Sequence, residues 1–153
     1  MSTITSSSVP RAESLRPALA AAVGAATFAA SMVSGVVFGL NADQGGSPPT
    51  PASEIAVYAL LMVVAAVPAV WLALRVLGGP PRRVAGTALG LSLASAVTVV
   101  GFWSGWPHVF AAVAAYLAVE HRRRVGSFSA TALVALALAA VAFLAATYLC
   151  LFG

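Results

Sequence analysis

The sequence predicts an all-α fold, a polytopic transmembrane helix bundle with five spans, and three observations carry that expectation. Of the 153 residues, 61% are hydrophobic and only 8% charged, whereas a soluble domain holds about 25% charged and 45–50% apolar residues. The apolar residues fall in runs long enough to cross a bilayer, separated by short segments rich in Gly, Pro and Arg. All eight basic residues are arginines, and each lies beside or between the runs or within a turn of a run's end. Such a composition excludes a disordered chain and a water-soluble enzyme. The single Cys excludes a disulfide scaffold and a thiolate metal cluster.

Residues 1–16 are polar, rich in Ser and Thr and without periodicity, which predicts a disordered cytoplasmic tail. The transmembrane domain is expected over 17–153. Residues 17–40 form the first span: 24 uncharged residues give a helix of about 36 Å, enough for a hydrocarbon core of about 30 Å. Pro17 suits the first helical turn, where its missing N–H has no partner to lose. Arg11 and Arg16 ahead of an apolar run also fit a cleaved signal peptide. The run exceeds an apolar signal region of about 7–15 residues, and Leu40 is a poor cleavage-site residue, so the helix is expected to stay as an anchor.

Asn41–Ser53 contains Gly-Gly and Pro-Pro and reads as an exposed loop. Ser53 can cap the next helix, with Glu54 at its positive end. The second span is expected at 55–77, kinked at Pro68 and stopped by Gly78-Gly79-Pro80-Pro81. Residues 84–120 are apolar for 37 positions, about 55 Å as one helix and too long for a single crossing. The chain must fold back, and Gly101-Phe102-Trp103-Ser104-Gly105-Trp106-Pro107 holds the breakers. This gives a third span at 84–103 and a short fourth at 106–120, ended by His121-Arg122-Arg123-Arg124. After a turn at Gly126-Ser127, the fifth span covers 128–152.

With five spans and a cytoplasmic N-terminus, every arginine falls on the cytoplasmic side. Arg82, Arg83, Arg122, Arg123 and Arg124 are the strongest topology determinants. The other side then carries only Asp43 and Glu54, and the aromatics Phe38, Tyr58, Trp103, Trp106, Tyr148 and Phe152 gather at the outer interface, led by Trp103 and Trp106. The Arg-rich, Lys-free composition suggests a GC-rich genome and a bacterial cytoplasmic membrane. The sequence pI of about 10.2 does not signal nucleic-acid binding, because the arginines flank membrane spans instead of covering a soluble face.

Chemistry-bearing residues are sparse. No ionisable side chain sits at mid-span, where pumps and proton-coupled carriers usually need one. Glu120 and His121 could form a proton relay at the cytoplasmic mouth, but pairing with nearby arginines is the preferred reading. His108 and His121 are 13 residues apart, about 20 Å along a helix, so they cannot share a metal. No metal or other cofactor is expected, and His108 reads as an interfacial residue. Cys150 reads as a small packing residue, and the intramembrane Ser and Thr hydroxyls lack a base.

The most regular pattern is one of small residues. Thr27, Ser31, Gly35 and Gly39 recur every four residues on the first span, and Gly86, Gly90, Ala94 and Thr98 on the third. Such rows let helix backbones approach closely in lipid. On the last span Ala132, Ala135, Ala139, Ala142 and Ala146 repeat at alternating spacings of three and four, suited to a left-handed crossing. Gly35 is expected at an intermolecular interface, because its span is joined by the longest loop.

The functional expectation is a non-enzymatic multi-pass membrane protein, an accessory or assembly subunit acting through helix packing. Its expected partners are the lipid bilayer and a second copy or another membrane protein. The alternative is a small transporter or channel with its pathway between helices or protomers. The arginine asymmetry generates a direct test: alkaline phosphatase fused after Gly153 will be active and a fluorescent protein fused there dark. The reverse pattern would mean that 106–120 does not cross.

Overall fold

The Gly and Pro punctuation of the sequence becomes the set of helix ends. The computed structural model describes residues 15–38 and 52–152, and among them all regular structure is helical. The elements are α1 (Arg16–Val37), α2 (Ala52–Leu77), α3 (Pro81–Thr98), a 3-10 segment (Val99–Ser104), α4 (Trp106–Val125) and α5 (Ala130–Phe152). The expected tail before Leu15, the small residue Gly39, most of the 41–53 loop and the capping side chain of Ser53 lie outside the described residues. α2 runs unbroken through Pro68, which stands on an exposed face.

Two expectations about the chain's fourth helix need correction. His121-Arg122-Arg123-Arg124 does not end it: α4 continues to Val125, where Gly126 adopts φ 84° and its N–H donates to Arg122 O at 2.8 Å. A left-handed glycine closing a helix in this way satisfies carbonyls that would otherwise be orphaned. Four helices are long and apolar enough to cross a membrane: Arg16–Gly35, Glu54–Leu77, Pro81–Ser104 and Ala130–Phe152. α4 is not among them, because its 20 residues include Glu120, two histidines and three arginines.

The packing shows why α4 differs. α1 touches α2, α2 touches α3, α3 touches α5 and α5 touches α1, so these four close a ring, and every one of them also touches α4. α4 is the axis of the bundle. Its buried residues, among them His108, Val109, Val113, Ala114, Leu117 and His121, spread round the helix instead of forming one stripe. A helix enclosed by protein need not be lipophilic on all sides.

Small residues bring the ring close to its axis. On α1 the buried positions are Pro17, Ala21, Gly24, Phe28, Ser31 and Gly35, and on α5 they are Ala132, Ala135, Ala139, Ala142, Ala146 and Cys150. The α1 set, and the α5 set as far as Ala146, follow the alternating three- and four-residue spacing of left-handed packing. A Cβ on Gly24 would stand 2.5 Å from the backbone oxygen of His108 in α4, and one on Gly35 would stand 2.8 Å from that of Cys150 in α5. Gly35 is therefore an internal seam of α1 against α5, not the outward interface its loop length suggested. Gly86 and Gly90 behave oppositely: both are exposed and a Cβ on either would meet nothing within 4 Å. They pack against no other helix of this chain.

The helices alternate in direction so that the arginines collect at one end. Arg124 of α4 donates to Leu77 O at the end of α2 (2.7 Å), and His121 of α4 meets Pro81 O at the start of α3 (3.0 Å). α1 runs antiparallel to α4, with Gly24 beside His108 near the start of α4 and Arg16 toward its end. All seven described arginines thus lie at one end, and Glu54 lies in the first turn of α2 at the other.

Candidate functional site: a buried histidine beneath a helix break

The polar interior gathers where α3 gives way to α4. Gly101 leaves helical geometry (φ −107°, ψ 43°), and Gly105 takes φ 74° as the residue preceding α4. Only glycine suits Gly105 comfortably: its φ is left-handed, and a Cβ there would come within 3.0 Å of Met62 Cγ and Phe28 Cδ1. Those contacts bury Gly105 against α1 and α2, whereas Val99–Ser104 ahead of it contains no buried residue. Side chains bond the irregular backbone. Ser104 Oγ donates to Gly101 O (2.7 Å) and accepts from the Trp106 N–H (3.3 Å), while Ser95 Oγ donates to Pro107 O (2.8 Å).

Trp106, expected at the outer interface, is half-buried and bonded within the bundle. Its Nε1–H donates to Leu61 O at 2.9 Å, nine residues into α2 and hence about 14 Å from that helix's start. Its indole ties α4 to α2 within the bundle. Trp103, by contrast, is half exposed, as an interfacial tryptophan can be.

His108 follows on the first turn of α4 and is fully buried. Its ring lies between Phe28 of α1 (centroids 5.7 Å apart) and Phe143 of α5 (5.1 Å). The expectation of an interfacial histidine is overturned, because the close approach of Gly24 and the two phenylalanines enclose it. Its Nε2 lies 3.1 Å from Thr147 Oγ1, and that hydroxyl already donates its one hydrogen to Phe143 O at 2.8 Å. The hydroxyl must therefore accept, so the neutral imidazole carries its proton on Nε2. Nδ1 is left with a lone pair and no partner.

At His121 the bonded nitrogen is the other one. Pro81 O can only accept, so Nδ1–H donates to it, and Nε2 is the unpartnered atom. Glu120 beside it accepts from Arg124 Nε at 3.1 Å and lies 3.8 Å from Arg123 Nη1. That is the pairing reading, and Arg124 adds a cation at the negative end of α2 through Leu77 O.

No protein-family model, curated protein or solved structure matches this chain. The site's chemistry must be judged from its own groups. Among the described residues no cluster of three His, Cys, Asp or Glu could hold a metal. The buried hydroxyls Ser31, Ser92 and Ser95 each donate to a backbone carbonyl, which leaves no activated nucleophile among them. A groove of about 450 Å³ runs along α1 past Val23, Thr27, Ser31, Ser34 and Leu151. Thr27 and Ser31 there direct their protons to their own helix. What the polar groups accomplish is assembly: their hydrogen bonds join α4 to α2, α3 and α5.

Sequence reasoning missed Gly24, Phe28 and Thr147. A signal was present for the first two, because Pro17, Ala21, Gly24, Phe28, Ser31 and Gly35 alternate at four and three residues, but the strict four-residue row through Thr27 drew attention away. Replacing Thr147 with Val is expected to lower stability by about 1 kcal/mol, typical of an interhelical hydrogen bond in a membrane. In a His108→Leu background the same change should cost markedly less. The check is a double-mutant cycle of unfolding in mixed micelles, and additive losses would show that the two side chains do not interact.

Proposed function

We propose that this chain is a non-enzymatic multi-pass protein of a bacterial cytoplasmic membrane, an accessory or assembly subunit that acts by packing its helices against a second copy or another membrane protein. In this reading α4 is the fifth crossing, made short and polar because the ring shields it. The N-terminus is cytoplasmic and the C-terminus is outside. Four apolar helices long enough to cross a membrane and the gathering of the described arginines at one end support that topology.

The observation that carries the functional reading is the contrast among glycines. Gly24 and Gly35 are required by backbones inside the chain, whereas Gly86 and Gly90 lie exposed on α3 with no such demand. An exposed helical glycine is unfavourable by about 1 kcal/mol relative to alanine. Two of them one turn apart, followed outward by Leu93 and Val97, form a face on which another helix backbone could come close. α4 fills the centre of the bundle, so a transport pathway would have to run between protomers. The packing reading therefore stands ahead of the transport one.

The test compares isoleucine at two glycines. Gly35→Ile should cost at least about 1–3 kcal/mol of overpacking and abolish the folded monomer in detergent. Gly90→Ile should leave the monomer's helicity and melting temperature near wild type while it no longer co-purifies with a tagged copy or with the wild-type partner. Undiminished association of Gly90→Ile would remove the argument.

A further inference from the structure

The arginine end of the bundle carries far more positive charge than it neutralises. Among the described residues its only carboxylate is Glu120, already engaged by Arg124 and Arg123. Arg16, Arg75, Arg82, Arg83 and Arg122 form no ion pair with a described residue, and all are exposed.

Three of these arginines flank the turn between α2 and α3. Arg82 and Arg83 occupy the first turn of α3, which contains no acidic residue. Cations there oppose the helix dipole, so the intrinsic preference of the helix does not account for them. Arg83 reaches back along the turn, its Cδ 3.7 Å from where a Cβ on Gly79 would lie. Arg75, one turn before the end of α2, holds its guanidinium 4.5 Å from the centroid of the Trp71 ring. The bond from Arg124 to Leu77 O fixes the end of α4 against the same turn.

The charge is continuous with an apolar surface. Trp71 is 52% exposed, and Val67 and Leu74 beside it also face outward. Tryptophan under a guanidinium, with exposed aliphatic side chains along the rest of the helix, marks the level where headgroups meet acyl chains. Guanidinium groups bind phosphate through paired hydrogen bonds. We propose that the α2–α3 turn, with Arg75, Arg82 and Arg83, binds the phosphate of an anionic phospholipid whose acyl chain lies on the Val67–Trp71–Leu74 face of α2. The apolar face separates a lipid from free phosphate as the occupant, and the lack of an unpaired carboxylate among the described residues of this end separates an anionic lipid from a zwitterionic one.

The experiment is a thermal-unfolding titration of the full chain in nonionic detergent with phosphatidylglycerol, phosphatidylcholine or inorganic phosphate. Phosphatidylglycerol should raise the melting temperature saturably, since a ligand of the native state stabilises it, and the other two should not. Arg82→Gln combined with Arg83→Gln should weaken the apparent affinity on the order of 25-fold, and Arg82→Gln alone about fivefold, as expected for phosphate contacts at a membrane surface. Arg16→Gln, on α1 away from the turn, should change it by less than about twofold on the same scale. The single variant decides the matter if the double variant does not fold. An equal response to phosphatidylcholine or to inorganic phosphate would overturn the proposal, as would wild-type affinity in the arginine variants.

Discussion

In hydrocarbon an unpaired backbone N–H or C=O has no water to turn to, and each such group costs several kcal/mol. The break between α3 and α4 is where this constraint bears hardest, because Gly101 and Gly105 take the backbone out of the helix. The remainder of the bundle accommodates that break. Ser104 bonds Gly101 O, Ser95 bonds Pro107 O just beyond it, the Trp106 indole fastens its far side to Leu61 of α2, and Phe28 and Met62 pack against Gly105. Non-helical backbone is tolerated at such a place where protein packs on it; here the packing falls on Gly105, which is buried, while Val100 and Trp103 of the preceding turn face outward.

Enclosure also explains the unusual composition of α4. Lipid offers no net hydrophobic drive for helices to associate, so association rests on close packing and interhelical hydrogen bonds. Gly24, Gly35 and the alanine seam of α5 supply the first. His108 to Thr147 and His121 to Pro81 supply the second. Each histidine uses one nitrogen for assembly and leaves the other without a partner. With no carboxylate among its described contacts, His108 serves as a neutral strut.

The legible part of this structure was set by composition and punctuation. The apolar runs gave helices whose ends fall near the Gly, Pro and Arg clusters, and the break was placed at Gly101–Pro107 because those breakers outweigh the surrounding valines. The roles of particular residues were less legible. Trp106 and His108 look interfacial in a linear reading, since both lie beside a Gly-Ser-Pro turn, and only tertiary packing buries His108 fully and Trp106 in part. The glycine rows were visible, yet spacing alone does not state which neighbour a row meets: Gly35 meets α5 and Gly90 meets no helix of the chain. In so Ala-rich a sequence the buried set Ala65, Ala69 and Ala73 of α2 was indistinguishable from compositional background.

Enclosure of α4, with Gly105 at the end of the break buried against α1 and α2, is the claim on which the remaining conclusions rest. Hydrogen–deuterium exchange of the full chain in lipid nanodiscs measures it directly. The amides of Ala111–Leu117 should be among the slowest in the protein, and those of Gly101–Gly105 should exchange at least about a hundredfold more slowly than those of Ser127–Ser129, since protection follows burial and bonding and not helicity alone. Exchange at Gly101–Gly105 as fast as in the 127–129 turn would place the break in water and contradict the enclosed-axis architecture.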